Sequence, residues 1–348
     1  MERFAYGLPA LAAFLTLGLS AGAAAQPDEP ARDKPAAMPA LPPAEIDETL
    51  SIGGEEIDAR QLRSRMTVEV AVNGKGPYDF VVDSGADTSA VGTALAGKLA
   101  LPEGGRTMLH GITESAPVDQ VWLEELQLGP TVTTNLEVPV LDERDMGGDG
   151  MIGLDALVNQ RLMMDFEKRI ITVDDALQAE PLTNGVIVVT GRLQRGQLIL
   201  TEVSANRQSV DAVVDTGSEV TIGNLALRNK LLRKRLRGFQ TIQVTGVTGK
   251  SMDIEYAVIR NLKLGPIILQ NVPIAFADIP PFGVFGLEDE PALLLGTDLM
   301  ETFRRVSLDF RERKVRFQLR KCQQAAVRTR FSPNASRVRA TQESACAR

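Results

Sequence analysis

The sequence predicts an all-β protein made of two similar lobes in one chain, with a few short helices. Three observations carry this. Short stretches of alternating apolar and polar residues recur along the chain, as half-buried strands require. Glycine-bearing turns separate them, as in closed or sandwiched β architectures. Above all, a four-part pattern occurs twice in the same order, the mark of an internal duplication.

The repeated parts are these. Val81-Val82-Asp83-Ser84-Gly85-Ala86 matches Val213-Val214-Asp215-Thr216-Gly217-Ser218. Leu126-Gln127-Leu128-Gly129 matches Leu262-Lys263-Leu264-Gly265, and Ile152-Gly153-Leu154-Asp155 matches Leu295-Gly296-Thr297-Asp298. Met164-Asp165-Phe166 matches Leu308-Asp309-Phe310. The separation between copies grows steadily from the first pair to the last, as loop insertions in the second copy would make it. Before each Asp-containing loop stand two predicted strands joined by a turn: Met66–Val72 and Tyr78–Val82 around Asn73-Gly74, then Leu198–Val203 and Val210–Val214 around Asn206. Short helices are predicted over 93–99 and 225–236 after these loops, and over 156–162 and 299–305 after each Gly-x-Asp.

The ends differ from this middle. Arg3, an apolar run over 4–19 and Ala23-Ala24-Ala25 have the layout of an export signal over residues 1–25, either cleaved after Ala25 or retained as an anchor. Residues 26–58 are rich in Pro, Ala and charge and read as a flexible tether or propeptide. The predicted lobes follow at 59–176 and 184–319, and a basic tail, read as disordered, occupies 320–348. The protein is therefore expected to be exported, periplasmic or secreted. Cys322 and Cys346, both in the tail, can pair in an oxidising compartment or stand as free thiols.

Composition narrows the function. Hydrophobic residues make up 44% of the chain, enough for a real core, and the net charge of −7 disfavours nucleic acid as a partner. A membrane-surface partner is not expected. A single histidine, His110, leaves little scope for a multi-histidine metal site. Ser84 or Ser218 as a nucleophile would need a base that no motif supplies.

The two Asp-Ser/Thr-Gly loops fit a different chemistry. Two carboxylates held close together cannot both ionise, so one serves as base while the other serves as acid. Valine pairs before each aspartate supply buried strand ends, and Gly85 and Gly217 permit tight turns. Ser84 and Thr216 carry hydroxyls able to tie loop to loop. Ser218 could donate to its own carboxylate where Ala86 cannot.

On these residues the chain resembles the pepsin-like and retroviral (retropepsin-like) aspartic peptidases over about residues 60 to 318. Asp83-Ser84-Gly85-Ala86-Asp87-Thr88 is similar to the retroviral loop, and Asp215-Thr216-Gly217-Ser218 to the pepsin-like one. Met151-Ile152-Gly153 and Leu294-Leu295-Gly296 resemble the element that packs beneath each loop. The resemblance implies a two-lobed acid-protease pseudo-dimer with short helices, a cleft between lobes, and a catalytic pair, Asp83 and Asp215. It implies an endopeptidase acting on polypeptides, with no metal or organic cofactor. It also implies flaps, for which His110, Gly111 and Ile112, and Gly246 and Val247, are the candidates; neither has the pepsin-like flap tyrosine. A monomer with an internal two-fold is expected, a homodimer being the variant. A non-catalytic peptide-binding protein of the same fold is the alternative.

Other residues receive structural readings. Asp155 and Asp298 are expected to cap the helices that follow. Asp165 and Asp309 mark a strand or turn, and Trp122 is expected in the core. The basic run from Arg228 to Arg237 reads as the solvated face of a helix.

Overall fold

The computed structural model describes residues 55–62, 65–157, 160–175, 186–232, 238–320 and 337–340. The first lobe runs β1 (Glu55–Leu62), β2 (Arg65–Val72), β3 (Lys75–Val82), β4 (Ala90–Gly92), α1 (Thr93–Leu99), β5 (Glu103–His110), β6 (Ser115–Leu128), β7 (Thr131–Leu141), α2 (Glu143–Met146), β8 (Gly150–Ile152), α3 (Leu154–Leu157), β9 (Gln160–Asp165) and β10 (Ile170–Asp175). The second runs β11 (Val186–Gln194), β12 (Gln197–Ala205), β13 (Gln208–Val214), β14 (Ile222–Gly223), α4 (Leu225–Leu232), β15 (Gln240–Thr245), β16 (Ser251–Leu264), β17 (Ile267–Phe276), α5 (Pro280–Val284), β18 (Ala292–Leu295), α6 (Thr297–Met300), β19 (Arg305–Asp309) and β20 (Lys314–Gln318), with β21 (Arg337–Ala340) after it.

Each lobe is a closed, mostly antiparallel sheet. In the first, β2 pairs β3, β3 runs parallel to β8, β8 pairs β4, β4 runs parallel to β7, β7 pairs β6, and β6 returns to β2. The second repeats this with β12, β13, β18, β14, β17 and β16. The turn between β2 and β3 places Asn73 and Gly74 at φ 50° and 68°, the left-handed pair that a tight hairpin needs. Inward residues such as Val68, Val70, Phe80, Val82, Leu123 and Leu126 are buried in one lobe, and Leu200, Val203, Ala212 and Val214 in the other.

A third sheet joins the lobes, in the order β1, β10, β9, β19, β20, β11. Its centre is the antiparallel pair β9 and β19, where Leu162 faces Leu308, Arg161 faces Asp309 and Asp165 faces Arg305. Both strands are buried almost throughout. The Asp-Phe segments expected to mark a strand or turn therefore do more, because their carboxylates cross between lobes. Arg161 Nε lies 3.0 Å from Asp309 Oδ2, and Arg305 Nε 2.6 Å from Asp165 Oδ2. Each aspartate also caps its own turn: Asp165 Oδ1 accepts from the Lys168 N–H at 2.8 Å, and Asp309 Oδ1 from Glu312 at 2.8 Å.

Several expectations need correction. The helices placed over 156–162 and 299–305 are only single turns, α3 and α6, and the chain is back in strands by Gln160 and Arg305. A run such as Leu162-Met163-Met164 is apolar without a helical stripe because both faces of a central strand are covered. The helix over 225–236 is described as far as Leu232; the rest of it, with most of the basic run, lies outside the described residues. Arg228 pairs with Glu255, and Lys230 Nζ lies 3.2 Å from Glu290. Trp122 is 42% exposed, since its neighbours Val121 and Leu123 take the inward side of β6. Residues 55–58, read as the end of the tether, form the first half of β1 against β10. Within the basic tail, β21 adds to the edge of β17, which offers it an unpaired row of backbone groups. The export signal, most of the tether, Cys322 and Cys346 lie outside the described residues.

Candidate active site

The site forms where β3 and β13 end, at the boundary between lobes. Each aspartate is fixed by its own strand first. Val81 and Val82 pair with Met151 and Ile152, and the Asp83 N–H donates to the Ile152 carbonyl at 2.9 Å. Val213 and Val214 pair with Leu294 and Leu295, and the Asp215 N–H donates to Leu295 at 3.0 Å. Parallel pairing of this kind needs cover on both faces, which the valines and leucines of the core supply.

The two loops then cross. The Thr216 hydroxyl accepts from the Ser84 N–H at 2.9 Å and donates to the Val82 carbonyl at 2.7 Å. Reciprocally, the Ser84 hydroxyl accepts from the Thr216 N–H at 3.1 Å and donates to the Val214 carbonyl at 2.9 Å. Both hydroxyls are buried, so every bond they make replaces one to water.

Within each loop, one carboxylate oxygen takes two backbone N–H groups. Asp83 Oδ1 accepts from Gly85 and Ala86 at 2.8 and 3.1 Å, and Asp215 Oδ1 from Gly217 and Ser218 at 2.8 and 3.0 Å. The glycines are obligatory. A Cβ on Gly85 would lie 2.7 Å from Asp215 Oδ2, and one on Gly217 would overlap the Asp83 carboxylate. The two carboxyl groups hydrogen-bond one another, and Asp215 is held well above the ordinary carboxylate range, by burial first and by the adjacent Asp83 second. The Ser218 hydroxyl does not serve its own carboxylate as expected; it donates to the Val220 carbonyl at 2.8 Å. The backbone N–H of residue 86 or 218 already fills that role in both loops, so the Ala/Ser difference leaves the pair alike.

Asp155 and Asp298 are also more than helix caps. Asp155 accepts from the Ser89 hydroxyl at 2.6 Å and Asp298 from Thr221 at 2.6 Å, tying each short helix back to the strand that leaves the Asp loop. Burial raises Asp155 above its usual value and pushes Asp298 up to about 6. Gly153 and Gly296 sit beneath the loops, where a Cβ would come within 2.7 Å of the Thr88 carbonyl oxygen or 2.7 Å of the Val220 carbonyl carbon.

Two hairpins cover the pair. The first, β5 and β6, places His110 at the end of β5 and Gly111 and Ile112 at its tip; the second, β15 and β16, carries Gly246 and Val247 at its tip. Each tip crosses to the opposite lobe. Ile112 packs against the second lobe's buried cluster that includes Ile242, Ile254, Phe282 and Phe285. Val247 packs against the first lobe's buried cluster of Val81, Ala90, Leu141, Met146 and Met151. The tips clasp each other, with Glu114 Oε2 2.8 Å from Lys250 Nζ and Glu114 Oε1 accepting from the Thr248 hydroxyl at 3.0 Å. His110 is exposed and hydrogen-bonds Ser115 through Nδ1 at 2.8 Å. Between floor and hairpins lies a cleft of about 410 Å³, lined by both aspartates, both glycines, Ala86, Ser218, Met151 and the two tips. Ser84 and Thr216 lie beneath it, buried. Among the described residues no cluster of three or more His, Cys, Asp or Glu side chains is placed to hold a metal.

Sequence reasoning missed the crossed Arg161–Asp309 and Arg305–Asp165 pairs and the buried Gln197, whose amide reaches the first loop from the second lobe. The repeated spacing of arginine four residues before each aspartate was the available signal for the former; Gln197 had none.

No curated protein matches this chain. The aspartyl protease family matches it in two segments, residues 68–156 and 201–299, one in each lobe and each carrying one of the two Asp-Ser/Thr-Gly loops. Together they cover more than half of the sequence, and the chain belongs to the aspartyl protease family.

Proposed function

We propose that the protein is an aspartic endopeptidase in which Asp83 and Asp215 activate one shared water. The observation that carries this reading is the contact of two carboxyl groups from opposite lobes at the floor of a covered cleft, where burial and the adjacent Asp83 raise Asp215 well above the ordinary carboxylate range. Asp83, the more exposed of the two, serves as the ionised partner in this reading, while Asp215 is buried. A peptide lies extended between the floor and the two hairpins, where exposed backbone groups can be matched by strand-like pairing.

Asp83 takes a proton from the water as its oxygen bonds to the scissile carbonyl carbon. Neutral Asp215 donates its proton to the carbonyl oxygen, giving a tetrahedral diol and moving the proton from one carboxyl to the other. In the second half, the proton on Asp83 passes to the amide nitrogen as the C–N bond breaks, and Asp215 regains one from the diol. The pair thus returns to its starting state. Because the cycle needs one proton on the pair, the rate should follow a bell-shaped pH profile belonging to both groups.

The reading as a non-catalytic peptide binder would be favoured by separated carboxyls or a filled cleft, and neither observation supports it. The export layout of the N-terminus supports action in the periplasm or outside the cell. Asp83→Asn and Asp215→Asn, each assayed on unfolded polypeptides, test the proposal. Each should lose at least about a thousandfold in kcat, since one residue cannot replace the pair. Full activity in either variant would sink it.

A further inference from the structure

Both Asp-loops carry an acid four residues after the dyad aspartate, Asp87 and Glu219, and both line the cleft. With Asp83 and Asp215 they are its four carboxylates, while His110 is the one basic side chain and neither Lys nor Arg lines it among the described residues. The lining also carries the apolar side chains of Met151, Val220, Val284 and Phe285.

Asp87 is held in an unusual way. It is exposed, yet its Oδ1 accepts from Gln197 Nε2 at 2.8 Å, and Gln197 is completely buried. The same amide nitrogen reaches the Gly85 carbonyl at 3.1 Å. Gln197 Oε1 has no partner among the described residues. Gln197 opens β12, so the second lobe holds Asp87 with a neutral amide. A neutral donor orients a carboxylate without cancelling its charge. Among the described residues, no ion pair is made by Asp87, and its second oxygen has no hydrogen bond. A fixed, uncompensated charge beside two catalytic carboxylates is unfavourable for the empty cleft, and a cationic ligand relieves it.

We propose that Asp87 is a specificity-determining residue that takes a lysine or arginine side chain of the peptide on one flank of the apolar scissile pair. This rests on the reading of the cleft as a peptidase site. The substrate class is a polypeptide segment with an apolar centre and a basic residue on the Asp87 side. In an extended peptide, side chains alternate between floor and roof, so one position on that flank should carry the preference.

The test uses the full chain and a set of peptides with a fixed apolar pair at the centre. Lys, Gln or Glu is placed at one flanking position at a time, on either side. Two quantities are read: kcat/KM for the cleavable peptides, and anisotropy binding of the same sequences with a reduced, uncleavable central bond. One flank should rank Lys above Gln above Glu, with about a tenfold span that shrinks in high salt. Asp87→Asn, which keeps an acceptor for Gln197, should collapse the ranking at that flank, and Asp87→Glu should retain it. Glu219→Gln, at the matching position of the other loop, should leave that flank unchanged. A ranking that survives Asp87→Asn overturns the proposal, as does one that Glu219→Gln collapses equally, since only the net charge of the cleft would then be at work. If the protein cleaves none of the peptides, the peptidase reading fails, and the uncleavable series still decides the role of Asp87.

Discussion

The lobes meet at the floor of the cleft and again at its roof, and the two junctions are built from opposite materials. At the floor, Ser84 and Thr216 are neutral, fully buried and doubly bonded across the boundary. At the roof, Glu114 and Lys250 are charged and in contact with solvent, Lys250 being 58% exposed. A buried neutral bond gains no competitor when water is near, whereas an exposed ion pair is weakened by salt and contributes little. On the proposed reading, the floor holds two carboxyl groups in place for each turnover, and the roof parts to admit a polypeptide. Below the floor, the crossed Arg–Asp pairs of β9 and β19 form a third junction, charged like the roof but buried like the floor.

The strongest way to break this arrangement is to leave its bonds alone and crowd the floor. Gly85→Ala places a methyl group against the Asp215 carboxyl. The displacement should cost at least about a hundredfold in kcat, because small misplacements of reacting groups are expensive. Peptide turnover measures it, and unchanged circular dichroism would show that the fold survives. An alanine variant with full activity would show that the loops approach less closely than described.

Next in size is the buried base. Arg161→Met removes one partner of Asp309 and leaves Arg316 Nη1, at 3.3 Å, as the other. A half-unpaired buried charge should lower stability by about 3 kcal/mol, read from urea unfolding. Thr216→Val keeps the shape but strands the Ser84 N–H and the Val82 carbonyl, so a loss of about 2 kcal/mol is expected by the same measurement. If Thr216→Val proved neutral, the floor would be held by packing rather than by its crossed hydroxyls.

How much of this was legible in the sequence depends on the range of the interaction. The Asp-Ser/Thr-Gly loops, the strands before them and the helix over 93–99 are local patterns, and α1 occupies the residues assigned to it. The loop-to-loop use of Ser84 and Thr216 was also readable, since two matching hydroxyls in matching loops suggest each other. The third sheet was not. Its strands β9 and β19 are short apolar runs, equally consistent with a buried helix, and only their pairing across 140 or more residues makes them strands. Ser218 was misjudged for a related reason: its hydroxyl had two acceptors within reach, and the choice of the Val220 carbonyl follows from the loop's course. The seating of each hairpin tip on the opposite lobe is a tertiary outcome that no local pattern encodes.

The smallest expected effect is at the roof, and it separates roof from floor by sign. Hydrogen bonds from Lys250 and Thr248 hold the Glu114 carboxyl below its usual value. A lowered carboxylate contributes while ionised, so the clasp is intact above the ordinary carboxylate range and is lost as pH falls through the lowered value. Asp215, raised by burial and by Asp83, behaves in the opposite way. Its contribution is present in acid and is lost as pH rises through the raised value. Acid therefore loosens the roof while it strengthens the floor. Glu114→Gln should leave the unfolding midpoint almost unchanged, because the pair is exposed. It should instead speed amide exchange at residues 111–114 and 246–250 near neutral pH, by a few-fold, and the difference from wild type should vanish in acid, where the native clasp has also opened. Equal exchange in both proteins at neutral pH would mean that Ile112 and Val247, packed on opposite lobes, hold the tips without the ion pair. A difference that persisted in acid would mean that Glu114 keeps its partners there. Either outcome would move the control of entry from charge to packing or to a group other than Glu114.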